Sequence, residues 1–124
     1  MTLHTVSVTT DASGDASKTI TGARGRLLQY RYVKPGANEL ATGADIDLVG
    51  AITGIVLIGQ DDIGTSSFTK APRQATHDTT GAASLYAAAG EPVEDYIWVH
   101  GEDLTFTVAQ GGNAKSGTFY FWFG

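Results

Sequence analysis

Cysteine is absent from this 124-residue chain, which rules out disulfides and thiolate metal centres. Positive charge is scarce as well: 8 Lys and Arg stand against 13 Asp and Glu, a formal net charge of −5. A nucleic-acid binder needs a basic face. The nearest approach is Arg24-Gly25-Arg26 with Arg31 and Lys34, which reads as a few solvated charges around one strand. No nucleic-acid partner is expected. Long apolar runs are missing too, and none approaches the roughly 18 residues of a membrane-crossing helix. Met1-Thr2-Leu3-His4-Thr5-Val6 has neither the basic start nor the apolar run of a signal peptide. The expectation is a soluble chain made in the cytoplasm, with no membrane partner.

Catalytic and metal-binding patterns are equally thin. No Gly-x-Ser-x-Gly elbow occurs, since Gly64-Thr65-Ser66-Ser67-Phe68 lacks the closing Gly. Ala114-Lys115-Ser116 fails as a phosphate loop because Ala stands where Gly must precede Lys. Asp11-Ala12-Ser13-Gly14-Asp15 opens like a calcium loop, yet Ala16 and Gly22 stand where that loop needs its turn Gly and its bidentate Glu. His4, His77 and His100 are far apart and have no partner at zinc spacing. Asp61 and Asp62 are adjacent and so diverge on a strand, and fit a turn better. Asp45 and Asp47 share a face, the wet one. The sequence therefore predicts a protein that is not an enzyme and takes no cofactor.

What is abundant is Gly, 16 residues of it, with recurrent Thr and Val in short stretches separated by Gly, Asp, Asn and Ser. His4, Val6 and Val8 alternate with Thr5, Ser7 and Thr9, a period-two strand. Further strands are expected over 26–33, 44–48, 52–58, 96–99, 104–108 and 118–123, with weaker ones near 17–21 and 67–70. The Gly-rich 110–117 segment reads as a long hairpin connection between the last two. Residues 1–124 thus read as a single all-β domain, an antiparallel β-sandwich or jelly-roll-like barrel of about eight strands. Residues 71–95 break the pattern and read as one long loop, with Ala82–Ala89 as a short helix bracketed by Gly.

Several strands are apolar on both faces. Phe119, Phe121 and Phe123 share one side of the last strand, and Tyr120 and Trp122 share the other. Ile52, Val56 and Ile58 alternate with Ile55 and Leu57, and Tyr96-Ile97-Trp98-Val99 behaves likewise. An antiparallel sandwich normally turns one face to the core and the other to water. Exposed aromatic patches of that size are rare on soluble monomers. A covering surface is therefore expected, either the 71–95 segment or a neighbouring copy. The candidate interface residues are Tyr96, Trp98, Phe119, Tyr120, Phe121, Trp122 and Phe123 on the strands. Pro72, Arg73, Leu85 and Tyr86 join them from the 71–95 arm.

Some segments are also familiar. Pro72-Arg73-Gln74-Ala75-Thr76-His77, the Ala82–Gly90 run and Val108–Phe119 resemble small virion structural proteins of tailed bacteriophages. Val8–Asp15 and Arg31-Tyr32-Val33-Lys34-Pro35 are similar to the same group. These are not active-site motifs, so no catalytic residue is implied. The resemblance implies a part of the virion, foremost a decoration (cement) protein on the capsid surface. Its partners would be copies of itself, as a trimer or dimer, and the major capsid protein. A tail-associated receptor or glycan-binding module and a head–tail connector component are the alternatives it leaves open.

Overall fold

Alternation of small β-branched and polar residues carries directly into strands, because successive side chains of a pleated strand point to opposite faces. The computed structural model describes residues 1–124 and is all-β. Its strands are β1 (Thr2–Thr9), β2 (Ala16–Ile20), β3 (Arg24–Val33), β4 (Asp45–Gly50), β5 (Val56–Gln60) and β6 (Phe68–Lys70). They continue with β7 (Gln74–Ala75), β8 (Glu94–Asp95), β9 (Ile97–His100), β10 (Leu104–Ala109) and β11 (Ser116–Phe123). The count exceeds the expected eight because β7 and β8 are too short to leave a periodic trace in sequence.

Two antiparallel sheets pack face to face as a β-sandwich. The larger runs β1-β11-β3-β6, with β9 also paired to β3; the smaller runs β2-β10-β4-β5. Between them lies one core cluster of 22 buried residues. Phe119, Phe121, Tyr30 and Tyr32 enter it from the larger sheet, and Phe106, Leu48, Ile46 and Leu104 from the smaller. Phe106 sits 4.7 Å from Phe119 and 5.3 Å from Phe121, ring centre to ring centre, in tilted and edge-on contacts that aromatic quadrupoles favour. Burial in this core pushes the Tyr30 hydroxyl up to about 12 and raises that of Tyr32 as well.

Three sequence expectations are corrected. Ala82–Ala89 forms no helix: eight residues are too few for a stable isolated helix, and their backbone groups bond across to other strands of the arm instead. The 52–58 strand begins only at Val56, because Gly54 N–H bonds back to Gly50 O (3.1 Å) and closes a turn that leaves Ile52 84 % exposed. A register shift between Leu48 and Val49 then lets consecutive Leu57 and Ile58 both reach the core, as a β-bulge allows. Finally, 110–115 is not a hairpin loop. β10 and β11 lie in different sheets, and the Gly-rich segment carries the chain across the end of the sandwich.

That crossing is pinned from the opposite side of the sequence. Thr10 N–H donates to Lys115 O (2.8 Å), while the buried Thr10 hydroxyl donates to Gly112 O and accepts from Lys115 N–H (2.9 Å). Gly111 N–H donates to Gly14 O at 2.8 Å. A Cβ on Gly14 would stand 3.0 Å from the backbone nitrogens of both Gly111 and Gly112, and Gly14 also has φ +84°. Two glycine turns thus meet backbone to backbone, where no side chain fits.

Candidate interaction surface

The 71–95 segment is the most exposed part of the molecule. β6 pairs with β3 at Tyr30–Tyr32 and β9 pairs with it at Arg24–Leu27, both on the edge away from β11. The chain leaves the sheet through the gap between them. Its root is clamped by stacked cations and rings: the Arg73 guanidinium lies 3.9 Å over the Tyr96 ring. Arg26 covers Tyr96 at 5.0 Å and Trp98 at 5.8 Å. Arg73 also donates to the carbonyls of Pro72 (2.8 Å) and Leu28 (3.4 Å). Beside this root, between the two sheets, opens a cleft of about 420 Å³ lined by Tyr30, Leu57, Gln60, Lys70 and Arg73. Lys70 Nζ is held there by Gln60 Oε1 at 2.6 Å.

Beyond the root the arm is held by its own backbone. Thr76 N–H donates to Val93 O, Val93 N–H to Ser84 O, and Ser84 N–H to Thr76 O, at 2.9, 2.9 and 3.0 Å. Three segments therefore meet in a closed ring of main-chain bonds, and Thr76, Ser84 and Val93 are the only half-buried residues between Gln74 and Asp95. Short ladders leave this ring in three directions: Ala75 with Glu94, His77 with Ala83, and Leu85 with Pro92. The first returns to the sheet; the other two end in tips. The tip at Asp78–Ala82 is closed by the Asp78 carboxylate, which accepts from Thr80 N–H (2.9 Å), Thr80 O–H (2.7 Å) and Ala82 N–H (3.0 Å). The tip at Tyr86–Glu91 is closed by Tyr86 N–H to Glu91 O (3.1 Å) and presents Leu85 and Tyr86, 41 % and 76 % exposed.

The Asp78 tip carries a pH prediction. Hydrogen bonds from Thr80 and Ala82 hold this carboxyl below its ordinary value of 3.8. A group lowered on folding supports the ordered turn at all pH above its unfolded value, and that support disappears as pH falls through the lowered value. An NMR titration of the Thr80 and Ala82 amide shifts is expected to show a midpoint below 3.8. A midpoint at or above that value would show that the carboxylate does not close the turn.

The second exposed surface is the outer face of the larger sheet. Tyr120 and Trp122 stack side by side there, centroids 6.0 Å apart and planes 26° from parallel. Register places Leu3 opposite Trp122 on β1, and Arg31 and Gln29 opposite Tyr120 and Trp122 on β3. Leu3 is 48 % exposed, and Trp98 on β9 is 47 % exposed. The arm makes no main-chain hydrogen bond to this face; those of Thr76, Ser84 and Val93 close on one another.

The predicted interface residues therefore separate into four places. Phe119, Phe121 and Phe123 are fully buried core residues, a correction: their side of β11 faces Phe106, so they offer no surface. Tyr120 and Trp122 stand half-buried on the outer face. Pro72, Arg73, Tyr96 and Trp98 gather at the arm root, and Leu85 and Tyr86 sit on the arm. Sequence reasoning missed Leu3, whose signal was an apolar side chain on the otherwise polar Thr5–Ser7 face of β1. It also missed the Thr76–Ser84–Val93 ring, which no side-chain pattern announces. Comparison with protein-family models, with curated proteins and with solved structures found no match.

Proposed function

We propose that this chain is a structural protein of a tailed-bacteriophage particle, foremost a decoration protein seated on the capsid and acting by packing, not catalysis. The observation that carries the reading is the arm. More than twenty residues fold outside the sandwich, bond only to themselves, and turn Leu85 and Tyr86 outward. Exposed loops of that length are uncommon in compact domains and are commonly functional. The outer sheet face adds Leu3, Tyr120, Trp122 and Trp98, aromatic-rich surface of the kind that anchors protein interfaces. The sequence resemblance to small virion proteins points the same way. Many such contacts, repeated over a lattice with the major capsid protein and with neighbouring copies, would hold the shell together against internal pressure.

Immunogold labelling of phage particles that carry this chain tests the proposal. Gold spread over the heads is the expected result. Gold confined to the tail tip would overturn the decoration role in favour of a receptor or glycan-binding module, and a ring of gold at the neck would favour a connector. Unlabelled particles, with the purified chain labelled alongside, would overturn the virion assignment.

A further inference from the structure

The two exposed surfaces carry charge of opposite sign. From Gln74 to Asp95 the arm carries Asp78, Glu91, Glu94 and Asp95 and no Lys or Arg. The five strands of the larger sheet carry Arg24, Arg26, Arg31 and Lys70 and no carboxylate. Arg24, Arg26 and Arg31 share the outer side with Trp98, Tyr120 and Trp122, as their cross-strand register requires. The acidic arm ends in exposed Leu85 and Tyr86; the basic face offers exposed Leu3 beside Trp122. Within one molecule no hydrogen bond joins the arm carboxylates to that face: those of Asp78 and Asp95 go only to Thr80, Ala82 and Tyr96.

From this complementarity we infer that the arm of one copy docks on the outer face of the larger sheet of a second copy. Tyr86 and Leu85 would seat against Leu3, Tyr120 and Trp122, with the arm carboxylates facing Arg31 and Arg26. Arm and face are different surfaces, so the contact is heterologous. A heterologous contact gives a ring where its rotation closes and a filament where it does not, and a trimer is the ring that suits a three-fold site on a shell. The inference rests on the reading of this chain as a packing protein and names the partner of its arm.

The test is a complementation in solution, using full-length chains. Tyr86→Lys places a cation on the arm tip, opposed by the basic face, and Arg31→Glu places an anion on the face, opposed by the acidic arm. Both positions are exposed, and circular dichroism verifies that each variant folds. By light scattering after size exclusion, wild type is expected to form a closed oligomer whose dissociation rises with salt, since screening weakens charge pairing. Each variant alone is expected to be monomeric, with self-association weakened about tenfold or more. An equimolar mixture is expected to re-form the oligomer, because the intact arm of one variant meets the intact face of the other and the introduced cation and anion face each other across the alternate contact. Wild type that stays monomeric overturns the inference, as does an oligomer untouched by both substitutions. Gold on the heads with a monomeric wild type would leave the decoration role standing and remove the arm-to-face contact. Complementation with unlabelled heads would do the reverse.

Discussion

Phe119→Ala is expected to cost about 3–5 kcal/mol of folding stability, the range for removing a buried Phe. The side chain is fully buried, stacked on Tyr32 at 5.0 Å and tilted against Phe106 at 4.7 Å, so neighbours from both sheets lose contacts at once. Domains of this kind hold about 5–15 kcal/mol in total, so the variant lies near the edge of folding. The expected fall in melting temperature is about 10–20 °C. Tyr120→Ala, one residue along, is the internal control. Its ring is half-buried on the outer face, and its loss is expected to cost on the order of 1 kcal/mol. The comparison tests the register of β11 directly, because a one-residue slip exchanges the two faces of a strand. Equal losses in thermal melts of the two variants would mean that β11 does not separate a core side from an outer side.

Thr10→Val is the second large effect, expected at about 2–4 kcal/mol although the shape of the side chain is unchanged. The hydroxyl serves two backbone groups of the 110–115 crossing, accepting from Lys115 N–H and donating to Gly112 O. Valine leaves both without this partner in a buried setting, at about 1–3 kcal/mol for each unsatisfied group. Thr10→Ser keeps the hydroxyl and separates that loss from the loss of a methyl group. Urea denaturation of the three proteins is the measurement. A Val variant as stable as wild type would show that water replaces the hydroxyl and that the crossing is held elsewhere.

These two residues mark where sequence was informative and where it was not. The sandwich was legible because β1, β3, β4 and β10 each carry the alternation that a sheet with one buried face demands. β11 was legible as a strand but not as to sides: Phe119-Tyr120-Phe121-Trp122-Phe123 is apolar at every position, and only its pairing with β1 and β3 shows which side meets Phe106. Thr10 left no trace, since its partners lie more than a hundred positions away along the chain. The same distance hid the true role of 110–115, whose Gly-Gly-Asn chemistry suits a hairpin turn as well as a passage between sheets. The arm was legible as an interruption of the strand pattern. Its internal form was hidden because alanine-rich Ala82–Ala89 states a helical preference that main-chain bonding to Thr76 and Val93 overrides.

The ring of Thr76, Ser84 and Val93 has a consequence for how this surface changes over generations. Its three segments are joined by main-chain bonds, to which the Thr76 hydroxyl adds one to Val93 O (3.0 Å), so the frame of the arm does not depend on its outward-facing side chains. Each tip is a separate excursion from that frame, closed locally at 78–82 and 86–91. Substitutions, and even altered lengths, at one tip leave the other tip and the sandwich undisturbed. If the arm docks on a partner as proposed, its specificity would be open to revision by substitutions at the tips, as in the variable loops of a binding scaffold. The same property makes the two tips natural points for grafting foreign peptides.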